Sequence, residues 1–365
     1  METNETPAPA PAPARIQLAA INPYVETHIV TGEESEARGH DYICWGADND
    51  FPAYLRQLVD EVPTLGSVVN GCTDYCVGDG ATLHVPAPQG GGRMNTRGDG
   101  IDDLLRVAFR SWWIYGCVPI EVIRTAGGQL AEIYIDDGRY VRSDKENERF
   151  WYSEKWGDKF SRKSKVVTMP KWMADGLHDR SLFYVKNTDD RTYPAPVYGS
   201  ALIACDLERR IARYHLNAIA NGFSSSYFVN LNNGVPNDEQ KAEVVKNFKQ
   251  KFTGDENAGR VVVGFSDDRT HAPIFQKLDH DDWGTRYQEL EKYSRAQIFT
   301  SFRANPNLFG LPTENLGFSN EEYATAFELF NRTMIRPAQR QILAAFDRIL
   351  GADGAVTIKP FSLEV

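Results

Sequence analysis

Positive charge is in short supply. The chain of 365 residues carries 40 Lys and Arg against 50 Asp and Glu, a formal net charge of -10. Proteins that grip nucleic acid by neutralising phosphates are usually basic, so this is no ordinary DNA binder, although an acidic chain can still surround DNA loosely. Histidine is sparse, at 7, which weakens the case for a histidine-based hydrolase. The 5 cysteines are odd in number and lack a framework spacing. Cys72 and Cys76 are four apart, but no second pair or His cluster completes a zinc site. They read as buried thiols of a reducing compartment. No run approaches the roughly 20 apolar residues of a membrane span. The first residues lack the basic region and apolar core of a secretory leader. The expectation is a soluble chain made in a cytoplasm. Also missing are a Gly-x-Ser-x-Gly elbow, a His-Glu-x-x-His run and a Cys/His nucleophile pattern. Gly90-Gly91-Gly92 has no Gly-Lys-Ser/Thr after it, so residues 89–100 read as a flexible surface loop rather than a phosphate cradle.

What is present is apolar material, 42% of the chain, enough for a large core and two or three subdomains. Residues 7–14 alternate Pro and Ala and read as an extended, unstructured arm. Asp50-Phe51-Pro52 starts a helix. Pro63–Val77 is a second, stopped by Gly78-Asp79-Gly80, and Ile101–Tyr115 a third, stopped by Gly116. Residues 198–222 form a long helix with Ile203, Leu207, Ile211, Tyr214 and Ala218 on one stripe and Asp206, Glu208, Arg209, Arg210 and Arg213 off it. Strands are expected at 81–85, 118–124, 130–135, 139–142, 150–153, 165–169, 224–231, 260–265, 273–278 and 355–358. Phe150, Trp151, Tyr152 and Trp156 have the chemistry to stack bases, but their alternation on short strands reads as a sheet face. Asn237 caps a helix reaching to about Phe252 that exposes Lys241, Lys246, Lys249 and Lys251, either a solvated face or a contact for a negative partner. His280-Asp281-Asp282 is not expected to hold a metal, because adjacent residues diverge; the aspartates suit the start of the next helix.

That next helix, 282–303, aligns Trp283, Tyr287, Leu290, Ser294 and Ile298, with Phe299 and Phe302 near its end. A polar stretch, 304–319, separates it from another helix starting at Asn320-Glu321-Glu322. There Tyr323, Phe327, Phe330 and Met334 recur at helical spacing, and Pro337 is expected to kink or restart the helix. A structureless stretch of this length between two helices is uncommon and is usually functional or disordered. This one has no Lys or Arg and a single acid, Glu314. It offers polar Asn305, Asn307, Thr313 and Asn315 with apolar Leu308, Phe309 and Leu311, groups suited to steric, low-affinity contact. The apolar three could instead pack on the flanking helices.

From residue 194 onward the order of pieces resembles the portal proteins of tailed bacteriophages. Tyr198-Gly199-Ser200-Ala201-Leu202 opens a helix as that family's G-x-S-x-L does, and Asn221-Gly222-Phe223 follows it. Asn257-Ala258-Gly259 before Val261-Val262-Val263 is similar to an N-A-G strand motif. Ile298-Phe299-Thr300-Ser301-Phe302 with Asn305-Pro306-Asn307-Leu308-Phe309-Gly310 resembles I-A-x-A-F-x-V-P-P-x-L-L-G. Phe318-Ser319-Asn320-Glu321-Glu322 is similar to Y-S-N-x-E, and Phe330 through Pro337 to F-x-x-x-T-I-x-P. The specificity lies in their order over about 150 residues; the N-terminal half matches only in layout.

The resemblance implies an α+β portal-like fold: a disordered arm at 1–20, a mixed wing at 21–196, paired stem helices at 197–222 and 281–303, and a small α/β clip at 223–280. It further implies a tunnel loop at 304–319 and a long wing helix with a short C-terminal segment at 320–365, so the crown is expected to be reduced. It implies no enzyme activity and no cofactor or metal. The implied assembly is a ring of about twelve copies at one capsid vertex of the virion, away from any membrane. Double-stranded DNA passes through it in packaging and ejection. The large terminase, the major capsid protein and head-completion or adaptor proteins are the implied partners. Asn305, Asn307, Leu308, Phe309, Leu311, Thr313, Glu314 and Asn315 would narrow the channel, and the four lysines would face a docking partner. Two other readings stay open: a carboxylate-dependent metal hydrolase built on 279–282, and a cellular scaffold with a portal-like helix pair.

Overall fold

The computed structural model describes residues 17–19, 31–37, 39–156, 165–176, 178–188, 190–220, 226–231, 237, 239, 243, 261–265, 274–278, 283–311 and 320–361. The chain divides into two compact units, Met1–Thr27 with Arg210–Glu289 and His28–Arg209 with Leu290–Val365. The elements in order are β1 (Gln17–Ala19), β2 (Glu34–Glu36), β3 (Ile43–Trp45), α1 (Phe51–Glu61), α2 (Pro63–Val77), β4 (Ala81–Leu83), α3 (Ile101–Tyr115), β5 (Cys117–Arg124) and β6 (Leu130–Ile135). They continue with β7 (Val141–Ser143), β8 (Arg149–Tyr152), β9 (Val167–Pro170), β10 (Arg180–Lys186), α4 (Leu202–Ala220), β11 (Ser226–Leu231), β12 (Val261–Phe265) and β13 (Ile274–Leu278). The last are α5 (Trp283–Ser301), α6 (Asn320–Phe330), α7 (Arg336–Leu350) and β14 (Val356–Ile358). The boundary between the units falls within α4 and α5. Among the described residues no helix is long and apolar enough to cross a membrane.

The larger unit holds the main core. Pro63 ends α1 and starts α2: the residue before a proline is pushed out of helical geometry, and Val62 sits at φ -104, ψ 106. Gly116 stops α3 in the left-handed region at φ 80, where a Cβ would also meet the Ala195 carbonyl at 2.7 Å. α3 is buried along one face and then all round its last turn, from Ser111 to Tyr115. It packs with α1, α2, α7 and the antiparallel sheet β10-β5-β6. A second antiparallel sheet, β7-β8-β9, buries Val141, Phe150 and Met169 against Leu182 of β10. Phe150 and Trp156 are buried, as a sheet face requires. Two small pairs, β2-β3 and β4-β14, complete the unit.

The other unit contains one sheet in the order β1-β12-β11-β13, with β11 and β12 parallel and the other pairs antiparallel.

Several expectations need correcting. Gln17–Ala19, inside the stretch read as an unstructured arm, is an edge strand on β12. The loop at 89–100 is pinned rather than free. Met94 is fully buried, and Asn95 accepts from the amides of Arg97 and Asp99 while donating to Asp99 and to the Ile133 carbonyl. α4 buries only part of the expected stripe: Ile211 is buried, but Ile203 and Tyr214 are exposed. In the main unit it buries Ala204, Cys205 and Glu208 and leaves Ile203 65% exposed; past the unit boundary Ile211 is buried and Tyr214 is 46% exposed. Small side chains let this helix approach its neighbours closely, and a hydrogen-bonded carboxylate takes one of the core positions. Strands β2, β3 and β10 were not anticipated. Most of the helix expected from Asn237 to about Phe252, and the cluster at 279–282, lie outside the described residues.

Candidate functional site

The stretch between α5 and α6 is not structureless in its first half. Two residues past the end of α5, Arg303 lies in the left-handed region, φ 51, and turns the chain. Asn305 then caps a short 3-10 helix, Pro306–Phe309, its side-chain oxygen accepting from the Asn307 amide at 3.0 Å. Proline is compatible with a first helical position, where its missing N–H would be unpaired anyway. Gly310 closes the turn at φ 76, and the Leu311 amide returns to the Pro306 carbonyl at 3.2 Å.

This turn is seated on the core. Leu308 is 5% exposed, and its carbonyl accepts from the Tyr75 hydroxyl at 2.6 Å. The Phe309 ring lies edge-on to Phe330 and Tyr75 and tilted against Phe299, with centroids 5.8–5.9 Å apart. Its bed is Gly71: a Cβ there would sit 2.7 Å from the Phe309 ring. Tyr75 also meets Phe327 and Phe361, so one phenol of α2 joins four phenylalanine rings. Burial, reinforced by Tyr323, raises its pKa and keeps it a donor. Leu311 packs on the same core.

The stretch thus divides. Leu308, Phe309 and Leu311 anchor it, and Asn305 and Asn307 shape the turn. Thr313, Glu314 and Asn315 lie outside the described residues, as do Lys241, Lys246, Lys249 and Lys251.

The start of α4 is tied to the same core. The Tyr198 hydroxyl donates to the Ile114 carbonyl at 2.9 Å, and its ring stacks on Phe302 at 5.7 Å. Glu208 accepts from the Thr64 hydroxyl at 2.9 Å and from its amide at 3.3 Å, supplying a cap to α2, whose first turn lacks one of its own. Burial raises the Glu208 carboxyl above its ordinary range, against the pull of the Thr64 hydrogen bonds. Arg209 lies over the Tyr54 ring at 5.8 Å and within 3.5 Å of Glu61. Gly71, Tyr75 and Thr64 were not legible as partners in the sequence, since each meets residues more than a hundred positions away.

Among the described residues no three His, Cys, Asp or Glu side chains converge as metal ligands. What the geometry builds is an anchorage for two helices and a connecting turn. Solved structures share the fold. A chain in the virion of a native gene transfer agent particle is 16% identical, with 85% of this chain and 83% of that one covered and a TM-score of 0.54. A chain in the neck of the native gene transfer agent particle, computed with C12 symmetry, is 15% identical, with coverage of 86% and 84% and a TM-score of 0.54. An HK97 family phage portal protein from Corynebacterium diphtheriae aligns at 9% identity, with coverage of 83% and 93% and a TM-score of 0.49. No curated protein matches. The class is therefore a mixed helix-and-strand scaffold with the fold of virion and neck chains. The chain belongs to the phage portal protein family, whose model matches residues 101–362. The family is a structural, non-enzymatic component of the capsid, so the hydrolase reading is dropped.

Proposed function

We propose that this chain is the subunit of a ring of about twelve copies at the unique capsid vertex, through which double-stranded DNA passes in packaging and ejection. The observation that carries this is the family match across 101–362. The exposed apolar side chains of the main unit support it. Ile203 on α4 is 65% exposed, and Leu290 and Tyr293 on α5 are 39% and 56% exposed. Large apolar groups left in water on adjoining helices suit burial against another copy.

In this reading α4 and α5 are the stem helices. The sheet around β11–β13 belongs to the clip, where Lys241, Lys246, Lys249 and Lys251 face terminase and then head-completion proteins. Most of 21–196 forms the wing beside the major capsid protein, and the crown is reduced. The constriction narrows to 312–319, with Thr313, Glu314 and Asn315, because 305–311 are committed to the core. Electron microscopy or native mass measurement of the purified protein tests the reading. A closed ring is expected; a strict monomer at every concentration contradicts it.

A further inference from the structure

α6 and α7 are not one regular helix. Asn331–Ile335 forms a π-turn between them, with the Arg336 amide reaching back to the Asn331 carbonyl. Pro337 explains its place. In a regular α-helix the proline ring would press on the carbonyl four residues back, that of Thr333, and would give it no hydrogen. The wider turn relieves that clash, and such turns recur at functional positions.

The turn also rearranges charge. In an α-helix residues advance by about 100°, so side chains four apart fan out by about 40° per step. Arg332, Arg336 and Arg340 would then spread over about 80°. A π-turn advances less per residue and takes back the first step of that fan. Together with Gln339 and Leu343, the three arginines line one shallow groove. The opposite side of α7 is committed to the core through Ala338, Ile342, Ala345, Phe346 and Ile349. Gln339 fixes the groove floor by donating to the Cys76 carbonyl of α2 at 2.9 Å.

Among the described residues one carboxylate, Glu328, pairs with this stripe. Glu328 meets Arg332 at 2.5 Å and Arg336 at 3.9 Å, while the two guanidinium side chains stay 68% and 55% exposed. Leu329, at 64% exposed, stands one turn before them.

We propose that this groove receives the acidic surface of a second copy of this chain in a head-to-tail contact, an inference that rests on the ring reading. The chain as a whole is anionic, at -10, so the stripe is a positive island on an acidic molecule, and another copy complements it. Arginine is enriched at protein interfaces because its planar fork pairs with carboxylates and tolerates desolvation. Leu329 and Leu343 flank the arginines with apolar surface, which rewards a protein occupant over a bare phosphate backbone. A twofold contact with the stripe on its axis would set the same cations against each other. A head-to-tail contact brings unlike faces together, and such contacts form a ring where the rotation closes.

The test is charge reversal on the full chain, Arg336→Glu with Arg340→Glu, read by sedimentation across a concentration series at low and high salt. Arg336→Gln with Arg340→Gln serves as a gentler second variant should the first lose its fold, and thermal melting reports folding for both. The wild type should assemble with a salt-sensitive midpoint. The reversed variant should melt as the wild type does and need about tenfold higher concentration or more to assemble. Assembly of both variants at the wild-type midpoint overturns the inference and leaves the ring reading standing. Unchanged assembly with lost binding to a short DNA duplex overturns it in favour of phosphate. A wild type that never assembles overturns both readings.

Discussion

At the scale of single residues, the clearest electrostatic tension is at Asp136, just past the end of β6. Its amide donates to the Pro119 carbonyl at 2.9 Å, but its buried Oδ2 has no hydrogen-bond partner. Burial pushes the carboxyl up to about 7, with repulsion from Glu121 adding to it and Arg180 and Arg97 opposing. The folded pKa therefore lies above the unfolded value of about 3.9. The folded state holds this proton more tightly, so its contribution is complete below about pH 4 and is lost as pH rises to about 7. Asp136→Asn removes the ionisation. The variant should gain on the wild type through that window, by on the order of 1–3 kcal/mol above about pH 7. Denaturant unfolding at several pH values measures it; parallel curves for the two proteins would refute the assignment.

At the scale of elements, the 3-10 turn Pro306–Phe309 is held by what α2 lacks. Gly71→Ala should improve helix propensity by about 0.5–1 kcal/mol. The new methyl would sit 2.7 Å from the Phe309 ring, itself enclosed by Phe299, Phe330 and Tyr75. Overpacking costs about 1–3 kcal/mol, so the net expected change is a loss of about 1 kcal/mol. Trimming the ring with Phe309→Leu should make the pair non-additive, with the alanine tolerated better in the double variant. A Gly71→Ala protein more stable than wild type would mean that the ring yields freely. This contact also shows why part of the fold was hidden in the sequence. The limits of α2 and α3 were legible because Pro63, Gly78 and Gly116 act locally, on their own backbone. The stretch 304–311 looked loose because its partners, Gly71 and Tyr75, are more than two hundred positions away. The stripe of α4 was misread for a related reason. Side-chain size marked Ile203 as core, but close packing selected Ala204 and Cys205, and Thr64 made Glu208 acceptable inside.

At the scale of the whole molecule, the proposed role as a DNA conduit requires loops held in place without holding the DNA. A lumen rich in cations would gain phosphate affinity through counterion release and so slow passage. The residues of 304–319 include no Lys or Arg, while Arg332, Arg336 and Arg340 lie beyond the loop. The anchor 305–311 keeps its partners on α2, α5 and α6 whatever follows it. Removing 312–319 and joining Leu311 to Asn320 through a short glycine linker should therefore spare folding. Melting temperature and ring mass, corrected for the deletion, should match the wild type, while packaging or retention of DNA in assembled particles should fall. Removing 305–311 instead should lower the melting temperature, because Leu308 and Phe309 would leave a cavity beside Tyr75. A 312–319 deletion that packages and retains DNA normally would take the constriction away from this loop, even with the ring intact.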